Sequence, residues 1–212
     1  EIWIVEGIFD AIALVHNGID AVSAMSSNAF PHDSLKALAT SRAGKLPKLV
    51  WALDNEPGAH AYTKRWVRMA REMGFVCEAA QIPQLDNRKL DWSDLHTRWA
   101  FLDEGETRDK QVDKEITTAR HHGALLIAEN ATEKALVMID WKRRSEFHLE
   151  FGNRLYWFKL DLEKYNKAIQ ELEDSEHHDD QQLNNKQMRA KAMQQCGALQ
   201  RIATCNPKAL YY

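Results

Sequence analysis

Residues 2–7, Ile-Trp-Ile-Val-Glu-Gly, constrain the chain more than any other stretch. Four consecutive apolar residues suit a strand buried on both faces of a sheet, and Gly7 lets the backbone turn at once into a helix. Glu6 is thereby left at the carboxyl end of a strand. In open α/β sheets ligands bind at that edge, because the loops leaving the strands form a crevice there. The pattern recurs along the first half of the chain. Residues 19–25 read as a second strand running into Ser26-Ser27-Asn28. Residues 49–53 read as a third, ending in Asp54-Asn55-Glu56-Pro57-Gly58, and residues 76–82 as a fourth, stopped by Pro83. Helices are predicted over 9–17, 31–41 and 59–73, the second opened by Pro31 and Asp33 and the third closed by Gly74. Strand and helix in alternation predict an α/β fold, a mostly parallel sheet with helices on both faces.

Beyond Pro83 the pattern loosens. Residues 86–89 form a polar loop, Asp91-Trp92-Ser93-Asp94 leads into a helix over 95–102, residues 103–108 read as a charged linker and 109–122 as a helix. After residue 124 the alternation is lost. Residues 135–139 fit a strand or a buried helix equally, since an apolar run of that length has no decisive period. Residues 147–151 and 155–160 flank Gly152-Asn153 as a hairpin. Helices follow over 162–172 and 186–199, a solvated polar run over 171–180 with His177 and His178, and a last strand from residue 202 to the end. The expected division is an α/β domain over 1–102 and a smaller α+β appendage over 103–212. Because Glu1 leads directly into a core strand, the sequence reads as a piece of a longer polypeptide.

Composition enters where it excludes something. With 28 basic and 31 acidic residues the net charge is −3, which argues against a broad DNA-coating surface but leaves room for a basic patch beside an acidic site. Cys77, Cys196 and Cys205 lack metal-ligand spacing, so neither a zinc site nor a disulfide framework is expected. No apolar run reaches the length of a membrane span and no signal peptide opens the chain, so a cytoplasmic protein without membrane partners is expected.

Carboxylates gather at the strand exits: Glu6, then Asp54 with Glu56, then Asp91 with Asp94 in a following loop. Neighbouring parallel strands lie about 5 Å apart, close enough for such acids to share a site. Like charges at that range disfavour joint ionisation, and a divalent cation relieves the repulsion. Oxygen donors without Cys or a paired His select Mg²⁺ or Mn²⁺ over zinc, and Mg²⁺ held by one or two carboxylates together with substrate phosphates suits phosphoryl or nucleotidyl transfer.

These residues carry a resemblance. The run from Val5 to Ala11 (VEGIFDA), the LDNEPG run from Leu53 to Gly58 before a helix, and Asp91-Trp92-Ser93-Asp94-Leu95, in that order, resemble the TOPRIM domain of bacterial-type primases, topoisomerases and some nucleases. The third stretch is similar to primases of phage and mobile elements, and the resemblance covers about 1–102. It implies Glu6 as general acid/base or metal contact, and Asp54 and Glu56 as Mg²⁺ ligands supported by Asp10, Asp91 and Asp94. It also implies Ser26, Ser27 and Asn28 as a substrate loop and Lys89 as a phosphate contact. Two positions depart from the family. Glu56 stands where aspartate is usual, and Leu90 separates Lys89 from Asp91.

The activity implied is primer synthesis from nucleoside triphosphates on single-stranded DNA, with a helicase or other replication proteins as further partners. A TOPRIM nuclease and a non-catalytic DNA-binding module are the rival readings. A topoisomerase fits less well, because no tyrosine module is evident. His16, His60 and the pair His121-His122 read as structural. The aromatic and basic runs 141–144 and 156–159 resemble single-strand binders in composition, but half of a half-buried strand faces the core.

Overall fold

The computed structural model describes residues 1–41, 45–84, 89–102, 105–176 and 184–204. The chain divides into two compact units, Glu1–Ile127 and Ala128–Tyr212. In the first, β1 (Ile2–Val5), β2 (Ala21–Ser23), β3 (Leu49–Trp51) and β4 (Cys77–Ala79) form one parallel sheet in the order β2-β1-β3-β4. The apolar runs make this sheet because both faces are covered. Ile4, Leu49 and Trp51 pack on α2 (His32–Ser41) and α3 (Pro57–Glu72) through Leu35, Ala59, Trp66, Val67 and Ala70. Trp3, Val5 and Val50 face the other way, onto Leu14 of α1 (Ile8–His16), Trp92, Leu95 and Trp99 of α4 (Trp92–Ala100) and Ala119 of α5 (Glu106–Ile127). This is the expected α/β arrangement.

The first unit ends at Ile127 rather than near residue 102, so α5, assigned from sequence to the appendage, belongs to the sheet. It seals the outer edge of β4. Gln81 donates its backbone N–H to the Ala119 carbonyl at 2.8 Å, and the helix comes so close that a Cβ on Gly123 would overlap the Ala79 backbone. Helix α4 starts at Trp92 rather than at residue 95.

In the second unit α6 (Ala131–Lys142) resolves the ambiguous run 135–139 as helix, capped by the Asn130 side chain, which accepts from the Glu133 N–H at 2.9 Å. Strands β5 (Glu146–Phe151) and β6 (Arg154–Lys159) form the predicted hairpin, with Gly152 and Asn153 at φ 53° and 55°, the left-handed values a tight two-residue turn requires. β7 (Leu199–Thr204) adds to β6 in antiparallel fashion, giving the order β5-β6-β7. Its start at Leu199 replaces the end of the predicted helix 186–199, since α8 (Asn185–Gln195) stops four residues earlier. α7 (Leu162–Glu176) extends into the stretch expected as a solvated loop. Residues 177–183, with His177 and His178, and the end of the predicted last strand, with Cys205, lie outside the described residues. Phe147, Leu149 and Phe158 face the unit's core with Ala135, Leu136 and Met193. Among the described residues no helix is long and apolar enough to cross a membrane.

Candidate functional site

The strand order places β1 beside β3, with the chain running from β1 outward to β2 and from β3 outward to β4. Between such strands the loops part in opposite directions, leaving a crevice at their carboxyl ends. Glu6 follows β1 there, and Asp54 and Glu56 follow β3. These two exits supply the three acids of the inner cluster.

Glu6 is held from the loop after β2. Ser23 Oγ donates to the Glu6 carbonyl at 2.8 Å and accepts from the Met25 N–H at 3.0 Å, while the Ser27 N–H bonds the Glu6 carboxylate. Ser26 Oγ donates to Asn28 Oδ1 at 2.7 Å, and Trp66 Nε1 to the Ser27 carbonyl at 2.8 Å, so the small polar loop is tied to the core beneath it. Glu6 Oε2 is buried and has no hydrogen-bond partner. Burial, then the neighbouring Asp54 and Glu56, push the Glu6 carboxyl above its ordinary range, the Ser27 N–H opposing them.

Asp54 is the inner acid of its pair, its side chain 14% exposed against 48% for Glu56. Glu56 is the N-cap of α3, with Pro57 as the first helical residue. Lys89 reaches both, at 2.7 Å from Asp54 Oδ2 and 3.6 Å from Glu56 Oε2, and Asp54 raises its pKa. Asn55, between the acids, turns away. Its Nδ2 donates to the Ile82 carbonyl at 2.6 Å, and its Oδ1 meets His60 Nε2 at 2.6 Å. Burial, then Lys64, lower the His60 pKa, so a neutral ring that donates to Asn55 holds the loop. The sequence marks neither role, since the partner carbonyl lies 27 residues away.

The other three candidate acids are engaged locally. Asp10 is buried, accepting from the Gly7 N–H at 3.3 Å and the Ser93 N–H at 3.1 Å, and so joins the starts of α1 and α4. Gly7 must lack a side chain here, because a Cβ would sit 2.8 Å from Asp10 Oδ2. Burial, then Asp91, raise the Asp10 pKa. Asp91 is the N-cap of α4, its Oδ1 accepting from the Asp94 N–H and from Ser93 Oγ, each at 2.8 Å, while Asp94 Oδ2 accepts from the Asp91 N–H at 3.2 Å. Leu90 accounts for the extra residue before Asp91. Gln84 clasps its backbone on both sides, at 2.7 and 3.0 Å, and its side chain joins the core beside α4. Trp92 Nε1 donates to the Ala52 carbonyl at 2.9 Å, fixing α4 to the exit of β3.

Residues 3–96 match the family model described as Toprim-like. This stretch is similar to Toprim-like domains. The match ends within α4, so it takes in all four strands and all six candidate acids. No curated protein matches the chain. Toprim-like domains act on nucleic acids and commonly depend on a bound metal.

The residues of this domain can be tested against a hard divalent cation. Among the described residues no three His, Cys, Asp or Glu side chains stand close enough to grip an ion as they are. The donor chemistry nevertheless fits. Glu6, Asp54 and Glu56 offer only oxygen, Glu6 Oε2 is buried without a partner, and the Lys89 ammonium supplies positive charge beside them. Asp54 and Glu56 would hold such a cation, which would supply the positive charge that Lys89 now gives them.

Proposed function

We propose that this chain is the metal-dependent nucleotidyl-transfer core of a DNA primase of mobile-element type, making RNA primers from nucleoside triphosphates on single-stranded DNA. The observation that carries this reading is the meeting of Glu6 and Asp54 at the β1/β3 crevice, with Lys89 drawn onto Asp54 from the segment just before the third motif. Asp54 and Glu56 would hold Mg²⁺, which supplies positive charge to the triphosphate and the departing pyrophosphate. The chain's own groups do the rest. Lys89, released from Asp54, meets phosphate oxygens. Glu6, its carboxyl raised above the ordinary range by burial and by Asp54, takes the proton of the attacking 3′-hydroxyl as the new phosphodiester forms and pyrophosphate leaves. The Ser26–Asn28 loop, pinned by Trp66, keeps Glu6 oriented. A replicative helicase is the natural partner of such an activity.

Primer synthesis on single-stranded templates with labelled ribonucleotides tests the reading directly. Products are expected with Mg²⁺ or Mn²⁺ and are lost in Asp54→Asn. Absence of primers on every template, together with equal Mg²⁺ binding by wild type and Asp54→Asn, would disprove it.

A nuclease is the second reading, favoured by the same buried and partnerless Glu6 oxygen, which can equally give a proton to a leaving 3′-oxygen. Metal-dependent nicking that disappears in Glu6→Gln, with no primer formed, would select it.

A further inference from the structure

The outward face of α3 has no role in the chemistry above, and it gathers three cations within five residues. Lys64, Arg65 and Arg68 are all exposed, and none forms an ion pair with a described residue. Elsewhere in the same unit Lys48, Lys89, Arg98 and Arg120 each hold a carboxylate. Lys64 and Arg68 stand four residues apart on one helix face, a like-charge spacing that disfavours a helix. Glu72, one turn past Arg68, is the acid on this face, and it makes no ion pair with Arg68. An ordinary solvated helix face alternates its charges; this one concentrates one sign in a protein of net charge −3.

Position gives the charges a direction. α3 begins at Pro57, next to Glu56, and at about 1.5 Å per residue Lys64 lies about 10 Å and Arg68 about 16 Å along the helix from that start. The two ends are also joined through packed side chains. The Arg65 guanidinium sits over the Trp66 ring, 5.1 Å from its centroid, Trp66 Nε1 holds the Ser27 carbonyl, and the Ser27 N–H holds the Glu6 carboxylate. A cationic ridge thus leads away from the acid cluster and is braced on the loop that orients it.

We propose that Lys64, Arg65 and Arg68 form the track along which the sugar–phosphate backbone of a single-stranded nucleic acid leaves the acid cluster. A polyanion offsets the repulsion along the ridge, and a flexible single strand can follow one helix face from a crevice. The proposal rests on the functional reading above for what happens at the crevice end, but the ridge can be tested apart from it.

The probe is a fluorescein-labelled 20-mer of deoxythymidine, followed by anisotropy in EDTA from 50 to 300 mM NaCl. Each phosphate that is no longer neutralised takes about 0.7 off the slope of log K against log salt. The triple variant Lys64→Gln/Arg65→Gln/Arg68→Gln is expected to flatten that slope by about 2 and to weaken binding at least about tenfold at 100 mM salt. Because Arg65 packs on Trp66, the double variant Lys64→Gln/Arg68→Gln leaves that stacking intact, with an expected flattening of about 1.4. Calorimetric Mg²⁺ binding by both variants is expected to equal wild type. An unchanged slope in variants that keep the wild-type circular dichroism spectrum and melting temperature overturns the proposal, as does a wild type that binds no oligonucleotide. Displacement of the 20-mer by an equal charge concentration of polyglutamate also overturns it, in favour of an acidic protein partner. If ridge-dependent binding is found without primer synthesis or nicking, the catalytic reading fails and the track stands.

Discussion

Two groups of three acids sit at the same end of the sheet and differ in what their oxygens do. In the outer group, Asp10, Asp91 and Asp94 accept backbone N–H groups at the starts of α1 and α4. In the inner group, Glu6 keeps a buried oxygen without a partner, and Asp54 and Glu56 are answered by a single side-chain ammonium. A carboxylate bound to fixed N–H groups is part of the scaffold. A carboxylate balanced by a lysine on a loop can exchange that lysine for another cation. Sequence offers Asp10, Asp91 and Asp94 as supporting acids of one site; their partners set them apart.

The comparison breaks first at Asp54. Asp54→Asn is expected to lower metal-dependent turnover at least about 100-fold and to abolish Mg²⁺ binding by calorimetry, with little change in melting temperature. Asp10→Ala should do the reverse, costing about 1–3 kcal/mol of stability in urea denaturation because two N–H groups lose their acceptor, with Mg²⁺ affinity within about twofold of wild type. If Asp10→Ala abolished Mg²⁺ binding instead, the outer group would have to be counted among the ligands. Asp91→Ala removes a helix cap and is expected to cost about 1 kcal/mol, and Asp94→Ala less, since it loses only the reciprocal half of the capping box.

The smallest effect is the most discriminating. The Glu6 carboxyl is raised above its ordinary value of 4.5, so the folded chain binds that proton more tightly than the unfolded chain. Its stabilising contribution is therefore complete below about pH 4.5 and is lost as pH rises through the folded value. In EDTA, Glu6→Gln is expected to melt higher than wild type at about pH 7.5 and to match it near pH 4, while being inactive. Equal melting temperatures at both pH values would show that burying the Glu6 carboxylate carries no cost to stability.

The parallel sheet is legible in sequence because its central strands β1 and β3 are apolar on both faces and run into acids beside Gly7 and Pro57. The inner acids are legible for the same reason, since strand ends place them. Helix α5 is legible as a helix over 109–122, but its place on the sheet is not, because its closest approach to β4 is made by the small residues Ala119 and Gly123, which carry no sequence signal for docking there. The run 135–139 is resolvable from Asn130 and Glu133, a helix-start spacing that apolar periodicity overlooks. Nothing local marks Asn55 and His60, because their partners Ile82 and Gln81 arrive from the next strand.

The closeness of α5 to β4 makes the sheet one-sided. Gly123 lets a helix backbone lie where a fifth strand would otherwise pair, and Gln81 gives that helix its edge N–H. At the other margin β2 ends the sheet with no strand beyond it among the described residues. The sheet is thus finished on the β4 side and open to growth on the β2 side. Among the described residues, the sheet's uncovered strand edge runs along Ala21–Ser23, the strand that leads directly into the loop holding Glu6.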